Sequence, residues 1–244
     1  YTAGGVKTFA ISLVNASAAA LTGLTVTDTL GSYTFGANTL YPLTYSAGSL
    51  LYYVNGVLQA TPTVAADAPL TVTGITVPAG GSAMLIYSAA VNEYAPLGVE
   101  DSITNTATIT GGALAAPVTA TETINAATEP QLAISKSICP SSVAENGTLT
   151  YTLTLLNRGN AAANATDDLV ITDTFDPVLR NLTVRFNGVL WTEGTQYTYN
   201  AATGVFTTTA GALTVPAATF TQDPTTGVFT VDPGTAQLVI TGTL

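Results

Sequence analysis

Leu24–Thr25–Val26–Thr27–Asp28–Thr29–Leu30 returns later in the chain as Leu169–Val170–Ile171–Thr172–Asp173–Thr174–Phe175. In each copy apolar residues alternate with polar ones, the period of a half-buried strand. Leu24, Val26 and Leu30 share one parity, as do Leu169, Ile171 and Phe175. Asp28 and Asp173 fall on that same inward parity. A carboxylate on the core face of a strand is costly unless something pairs with it, so each copy predicts a buried polar partner.

The stretches around the two copies match as well. Asn15 ends one alternating run, Val6–Asn15, and Asn157 ends another, Leu149–Asn157. Asn55–Gly56–Val57–Leu58 recurs as Asn187–Gly188–Val189–Leu190, and Asn-Gly between apolar runs is a strong hairpin signal. The Pro78–Gly81 turn reads as the match of Asp232–Pro233–Gly234, and Ala83–Val91 as the match of Gln237–Leu244. The chain is therefore an internal duplication. Its segments are short, rich in Thr, Val and Ile, and punctuated by Gly, Pro and Asn. The fold class this predicts is all-β, of the sandwich or barrel kind. Asn125–Pro130 reads as a linker between a first repeat, 1–125, and a second, 130–244.

The repeats are out of phase. The second has an opening strand, Gln131–Ile138, with no counterpart before Lys7. The first has closing strands, Ser102–Thr110 and Val118–Ile124, with no counterpart after Leu244. Each repeat is expected to expose core and unpaired backbone where the other has a strand, an invitation to pair with another chain. The chain opens on Tyr1 rather than Met, which reads as a processed or cut piece.

Composition narrows the function. Of 244 residues, 47% are apolar, enough for a core, while only 8% are charged against a usual figure of about 25%. The net charge of −10 argues against nucleic acid and against an anionic membrane surface. No apolar run is long enough for a membrane span. The absence of His removes His-based nucleophile systems and His-ligated metals. No Gly-x-Ser-x-Gly elbow is present, so a hydrolase is not expected. Cys139, on the outward parity before Pro140, reads as inert. Asp167–Asp168 reads as a solvated pair rather than a calcium site. The Asn-x-Ser/Thr triplets at Asn15, Asn146, Asn164 and Asn181 read as chance in so Thr-rich a chain. The basic residues are Lys7, Lys136, Arg158, Arg180 and Arg185. Both lysines fall on inward parities, Lys7 with Phe9, Ile11 and Leu13, Lys136 with Leu132, Ile134 and Ile138.

The run Gly147–Asn157, then Val170–Phe175, resembles the bacterial surface repeat catalogued as domain of unknown function eleven. Asn105–Thr106–Ala107–Thr108–Ile109–Thr110 resembles that family's closing strand. The resemblance implies two tandem immunoglobulin-like β-sandwiches in a secreted or wall-attached bacterial protein. It also implies an internal Lys–Asn isopeptide bond, for which a neutral amine, an amide and a protonated carboxyl must meet in a dry place. No cofactor or metal is needed. On this reading Asp28 and Asp173 are the promoting acids. Lys136 awaits an asparagine, and Asn105 awaits a lysine, for which Lys7 is a candidate stand-in. Relatives of this kind carry an N-terminal segment absent here, which reads as a closing strand followed by an opening strand.

The function expected is a structural subunit of an extracellular fibre, appendage or surface layer on a cell or spore, its copies joined head to tail by strand donation. The alternative is an adhesin stalk or a carbohydrate-binding wall module, with Tyr52, Tyr53, Trp191, Tyr197 and Tyr199 as a sugar-stacking platform.

Overall fold

The computed structural model describes residues 1–244 and is all-β. No helix is long and apolar enough to cross a membrane. The chain divides into two compact units. Unit 1 is Tyr1–Ala127 with Phe220–Thr230, and unit 2 is Thr128–Thr219 with Val231–Leu244.

Unit 1 is built from β1 (Val6–Val14), β2 (Leu21–Asp28), β3 (Tyr33–Phe35), β4 (Asn38–Leu40), β5 (Leu43–Tyr45), β6 (Leu51–Val54), β7 (Val57–Leu58), β8 (Thr63–Asp67), β9 (Leu70–Val77), β10 (Ser82–Val91), β11 (Ser102–Gly111) and β12 (Val118–Asn125). One sheet runs β1-β10-β6-β7, with β5 also on β10, and the other runs β12-β11-β2-β9-β8. The inward residues of the two sheets form one core, with Leu24, Leu30, Ile75, Leu85 and Tyr87 almost wholly buried. Alternation decides these faces, since successive strand side chains point to opposite sides. In β10 every second residue from Ala83 to Val91 is buried.

Unit 2 repeats the plan with a different set of edges. Its strands are β13 (Leu132–Cys139), β14 (Thr148–Asn157), β15 (Thr172–Thr174), β16 (Arg180–Phe186), β17 (Val189–Leu190), β18 (Tyr197–Asn200), β19 (Val205–Thr208) and β22 (Gly234–Thr243). Between β19 and β22 the chain forms the hairpin β20 (Thr219–Gln222) and β21 (Phe229–Asp232), most of which groups with unit 1. The first sheet is β13-β14-β22-β16-β17 and the second is β15-β19-β18. The core gathers on Phe175, Leu179, Val184, Phe206, Leu238 and Ile240.

Three particulars tie the repeats together. Asn15 and Asn157 are both buried at a strand end, and each amide bonds the carbonyl four residues on, Ala19 or Ala161. Each also bonds a proline carbonyl, Pro78 or Pro216. The match of Pro78 is therefore Pro216 rather than Pro233, while Gly234, opposite Asn157, keeps the place of Gly81, which bonds Asn15. The turn expected from the sequence is split by the β20–β21 hairpin. Both Asn-Gly turns have positive φ at both residues, 49° and 79° at Asn55–Gly56 and 48° and 81° at Asn187–Gly188. That is the conformation that lets a two-residue hairpin follow the twist of its strands.

The sequence assigned all of 130–244 to the second repeat. Residues Phe220–Thr230 instead group with unit 1. The Phe229 N–H donates to Glu93 O at 2.8 Å, and Gln222 Nε2 donates to Tyr33 Oη at 2.9 Å. Asp223 through Gly227 forms the hairpin turn, with the Gly227 N–H donating to Asp223 O at 2.9 Å, but the local residues of a turn do not say which core its hairpin joins.

The two heptads also differ in structure. β2 spans eight residues, flanked by β9 and β11. β15 spans three residues and pairs only with β19. A strand laddered on one side has half the backbone bonds to hold it extended, so the second copy is regular only where β19 reaches it.

Candidate functional site

Each unit has a groove where the other has a strand, and each groove holds the aspartate of one of the two heptads. In unit 2, β13 pairs with β14 so that Lys136 lies opposite Leu153. Asp173, on β15 of the facing sheet, meets it, with Nζ and Oδ2 2.5 Å apart. Asp173 Oδ1 accepts from the Thr174 N–H at 2.9 Å. Oδ2 is shielded from water and has no other hydrogen-bond partner, so the ammonium alone compensates it. The same ammonium lies 4.7 Å from the Tyr151 ring centre and 5.5 Å from that of Phe175. Those rings pack together at 4.8 Å and give the cation an apolar, electron-rich floor.

The lysine is less buried than its parity predicts. Its side chain is 40% exposed against 15% for Asp173. The apolar residues that share its face, Leu132, Ile134 and Ile138, are 40%, 56% and 42% exposed. Inward parity buries a residue only when a second sheet covers it, and here no strand equivalent to β11 or β12 lies over β13. A neighbouring apolar hollow, floored by Leu155 and Ile171, opens beside Leu132 and Ile134.

Unit 1 holds the other half. β11 pairs with β2 so that Ala107 lies opposite Asp28, which brings Asn105 on the same face to the carboxyl. Asn105 Nδ2 donates to Asp28 Oδ2 at 3.0 Å, and the Leu30 N–H donates to Oδ1 at 2.9 Å. Tyr87 also hydrogen-bonds Asp28. The Asn105 carbonyl accepts from the Gly31 N–H at 2.9 Å and the Thr29 hydroxyl at 3.2 Å. Gly31 has φ +70°, and a Cβ there would run into Ile103; glycine lets the backbone approach the amide this closely. Asp28 is 2% exposed and Asn105 5%. The amide is thus polarised at its oxygen by two donors, while its nitrogen faces a carboxyl.

Burial pushes the Asp28 carboxyl above the usual aspartate range, against the pull of its hydrogen bonds to Leu30, Tyr87 and Asn105. Burial and the Asp28 charge push the Tyr87 phenol up as well. The folded unit therefore keeps the Asp28 proton to a higher pH than the unfolded chain does. Its stabilising contribution is full below the unfolded aspartate value and is lost as pH rises through the raised folded value. Thermal melts of unit 1 across that window should show Tm falling as pH rises, and the slope should flatten in Asp28→Asn. An unchanged slope in the variant would assign the dependence to another group.

Lys7 lies on β1 opposite Ala89, is half-buried and borders the same groove as Asp28 and Asn105. It makes no ion pair with Asp28; Lys136 and Asp173 do pair. The structure thus joins Lys136 to Asp173 and Asn105 to Asp28, and leaves Lys7 at the rim.

The other candidates fall to structural roles. Tyr52 is 7% exposed, and its hydroxyl bonds both the carbonyl and the N–H of Thr76. Tyr197 stacks on Phe206 at 5.2 Å, Trp191 packs on Phe186 at 5.1 Å, and Tyr199 bonds Leu179. These four rings build core, and Tyr53 is half-buried on the opposite face of β6 from Tyr52, so the five do not form an exposed sugar platform. Asp167 caps a short 3-10 turn by accepting from the Asn164 N–H, and no group of three or more acidic, His or Cys side chains is placed to hold a metal. Cys139 is exposed. The sequence aligned Asn15 with Asn157 without assigning them work; their strand-end position after an alternating run was the available signal.

No known protein-family profile matches the chain, and no curated protein matches it. Among solved structures, the chain is similar to the pilus backbone RrgB from Streptococcus pneumoniae. The identity is 12% and the TM-score 0.35. The match covers 96% of this chain and 49% of that one, so this chain spans about half its length.

Proposed function

We propose that this chain is a structural subunit of an extracellular bacterial fibre, appendage or surface layer, whose copies join by strand donation and are tied by a Lys–Asn isopeptide bond. One observation carries the reading. Lys136 and Asp173 meet in an open groove with no amide beside them, while Asp28 and a polarised Asn105 meet in a groove with no paired amine. A donated strand bearing asparagine completes the first of these.

The chemistry balances without a cofactor. As the incoming strand excludes water, the Lys136 ammonium passes a proton to Asp173. The free amine attacks the amide carbon of the donated asparagine. Asp173 hands that proton to the departing nitrogen, which leaves as ammonia, and takes up the proton that the attacking nitrogen sheds, so a secondary amide and a protonated Asp173 remain. Proximity on fixed strands supplies most of the acceleration. The low surface charge and scarce lysines suit a subunit that packs against its own copies.

Mass spectrometry of assembled material tests this. The expected result is the loss of one ammonia for each bond and a cross-linked peptide joining Lys136 to an asparagine of another chain. Tryptic cleavage at Lys136 in assembled material would refute the covalent joint.

A further inference from the structure

Unit 1 has a groove of about 400 Å³ between β1 on one side and β11 and β12 on the other. Its walls are apolar, including Phe9, Ile11, Ile109 and Ile124, with Asp28 and Asn105 at its floor. β1 pairs with β10 alone, so its second edge presents unpaired backbone donors and acceptors along the rim. An edge of this kind accepts an added strand.

Unit 2 shows what belongs there. β14 matches β1 through the shared Asn157 and Asn15, and β14 carries β13 on the edge that β1 leaves open. Carrying the β13 register across, Lys136 opposite Leu153 becomes a lysine opposite Ile11. Ile134 and Ile138 fall beside Leu13 and Phe9. The lysine is then on the parity that faces Asp28, as Lys136 faces Asp173 in unit 2. The charges around the groove agree with this occupant. Asp28 and Glu122 border it, and Lys7 is the one cation among its lining residues and forms no ion pair.

We infer that the unit 1 groove is the receptor for a single extended strand of the β13 pattern, supplied by another polypeptide segment, with a lysine held opposite Ile11 and directed at Asp28. This deepens the strand-donation reading by naming the strand that unit 1 receives. Its affinity comes from the β1 ladder and the apolar walls, and its selectivity from the buried Asp28 carboxyl, which is hydrogen-bonded by Asn105 and Leu30 but has no counter-ion unless the strand brings a cation.

The probe is a labelled synthetic peptide with the sequence of residues 131–138, titrated into the full chain and followed by fluorescence anisotropy and by hydrogen exchange. Binding with new protection of the Val6–Val14 amides is the expected result. The same peptide carrying Lys136→Met should bind about tenfold more weakly, a difference of about 1.4 kcal/mol. That preference should vanish in the Asp28→Asn chain and persist in the Lys7→Ala chain. Polymers of the chain alone with β1 protected would also support the inference, since a copy's β13 is a strand of this pattern. Binding that protects Thr148–Asn157 instead, no binding, or equal affinity for the Lys and Met peptides would overturn it. None of these outcomes touches the Lys136 cross-link, which is read by mass spectrometry on assembled material.

Discussion

Asn157→Ala is expected to cost unit 2 about 3 kcal/mol, at the upper end for losing one buried polar side chain. Asn157 is fully buried. Its amide donates to Ala161 O at 2.7 Å and Pro216 O at 2.9 Å. Its carbonyl accepts from the N–H groups of Gln131 and Gly159, each at 2.9 Å. Alanine leaves four backbone groups without this partner in a place built to exclude water. One side chain also fixes three separate segments: the entry to β13, the turn after β14 and the stretch before the β20–β21 hairpin. Urea unfolding with a probe in each unit should show the unit 2 midpoint falling and the unit 1 midpoint unmoved. Asn15→Ala should give the mirror result with a smaller loss. One Asn15 partner, the Val77 carbonyl, is 3.3 Å away, and another, Ser17 Oγ, has Ala19 O as an alternative partner. A unit 2 loss under about 1 kcal/mol would mean that water replaces the amide.

How much of this was readable in advance differs from one feature to the next. The period-2 alternation identified β1, β10, β11 and β14 with their inward faces, because both sheets of a sandwich impose that period wherever they face each other. The meeting of Lys136 with Asp173, and of Asn105 with Asp28, followed from parity plus duplication. The exposure of Lys136 did not follow, because parity says which way a side chain points and nothing about what covers it. β15 was shorter than its heptad for the same reason: strand length depends on partners, and the partner equivalent to β11 is missing from that edge. The tyrosines and Trp191 look alike in sequence whether they build core or a binding surface. Only the closure of Tyr52 on Thr76 and of Tyr199 on Leu179 decides it. The placement of 220–230 in unit 1 depends on contacts far along the chain that no local pattern encodes.

Lys136→Arg is expected to separate docking from bonding completely. A guanidinium keeps the charge that Asp173 needs and still lies well over the Tyr151 and Phe175 rings. The ion pair, the fold of unit 2 and strand docking should therefore survive. A guanidinium does not give up its proton to a carboxylate, so it presents no free nitrogen lone pair to attack an amide. Assembled wild-type material should stay joined when boiled in detergent, while the arginine variant should assemble and then fall entirely to single chains. Asp173→Asn tests the other partner. It leaves a lysine with no local base, so bond formation should slow by about 10²–10⁴-fold, the usual contribution of a positioned acid–base group, and ammonia release over time measures it. The two variants fail for different reasons, a missing nucleophile and a missing proton carrier, so only the aspartate variant should recover some bonding with time. Detergent-resistant polymer from Lys136→Arg would place the covalent joint at another residue and reduce the Lys136–Asp173 contact to a clasp on the edge strand.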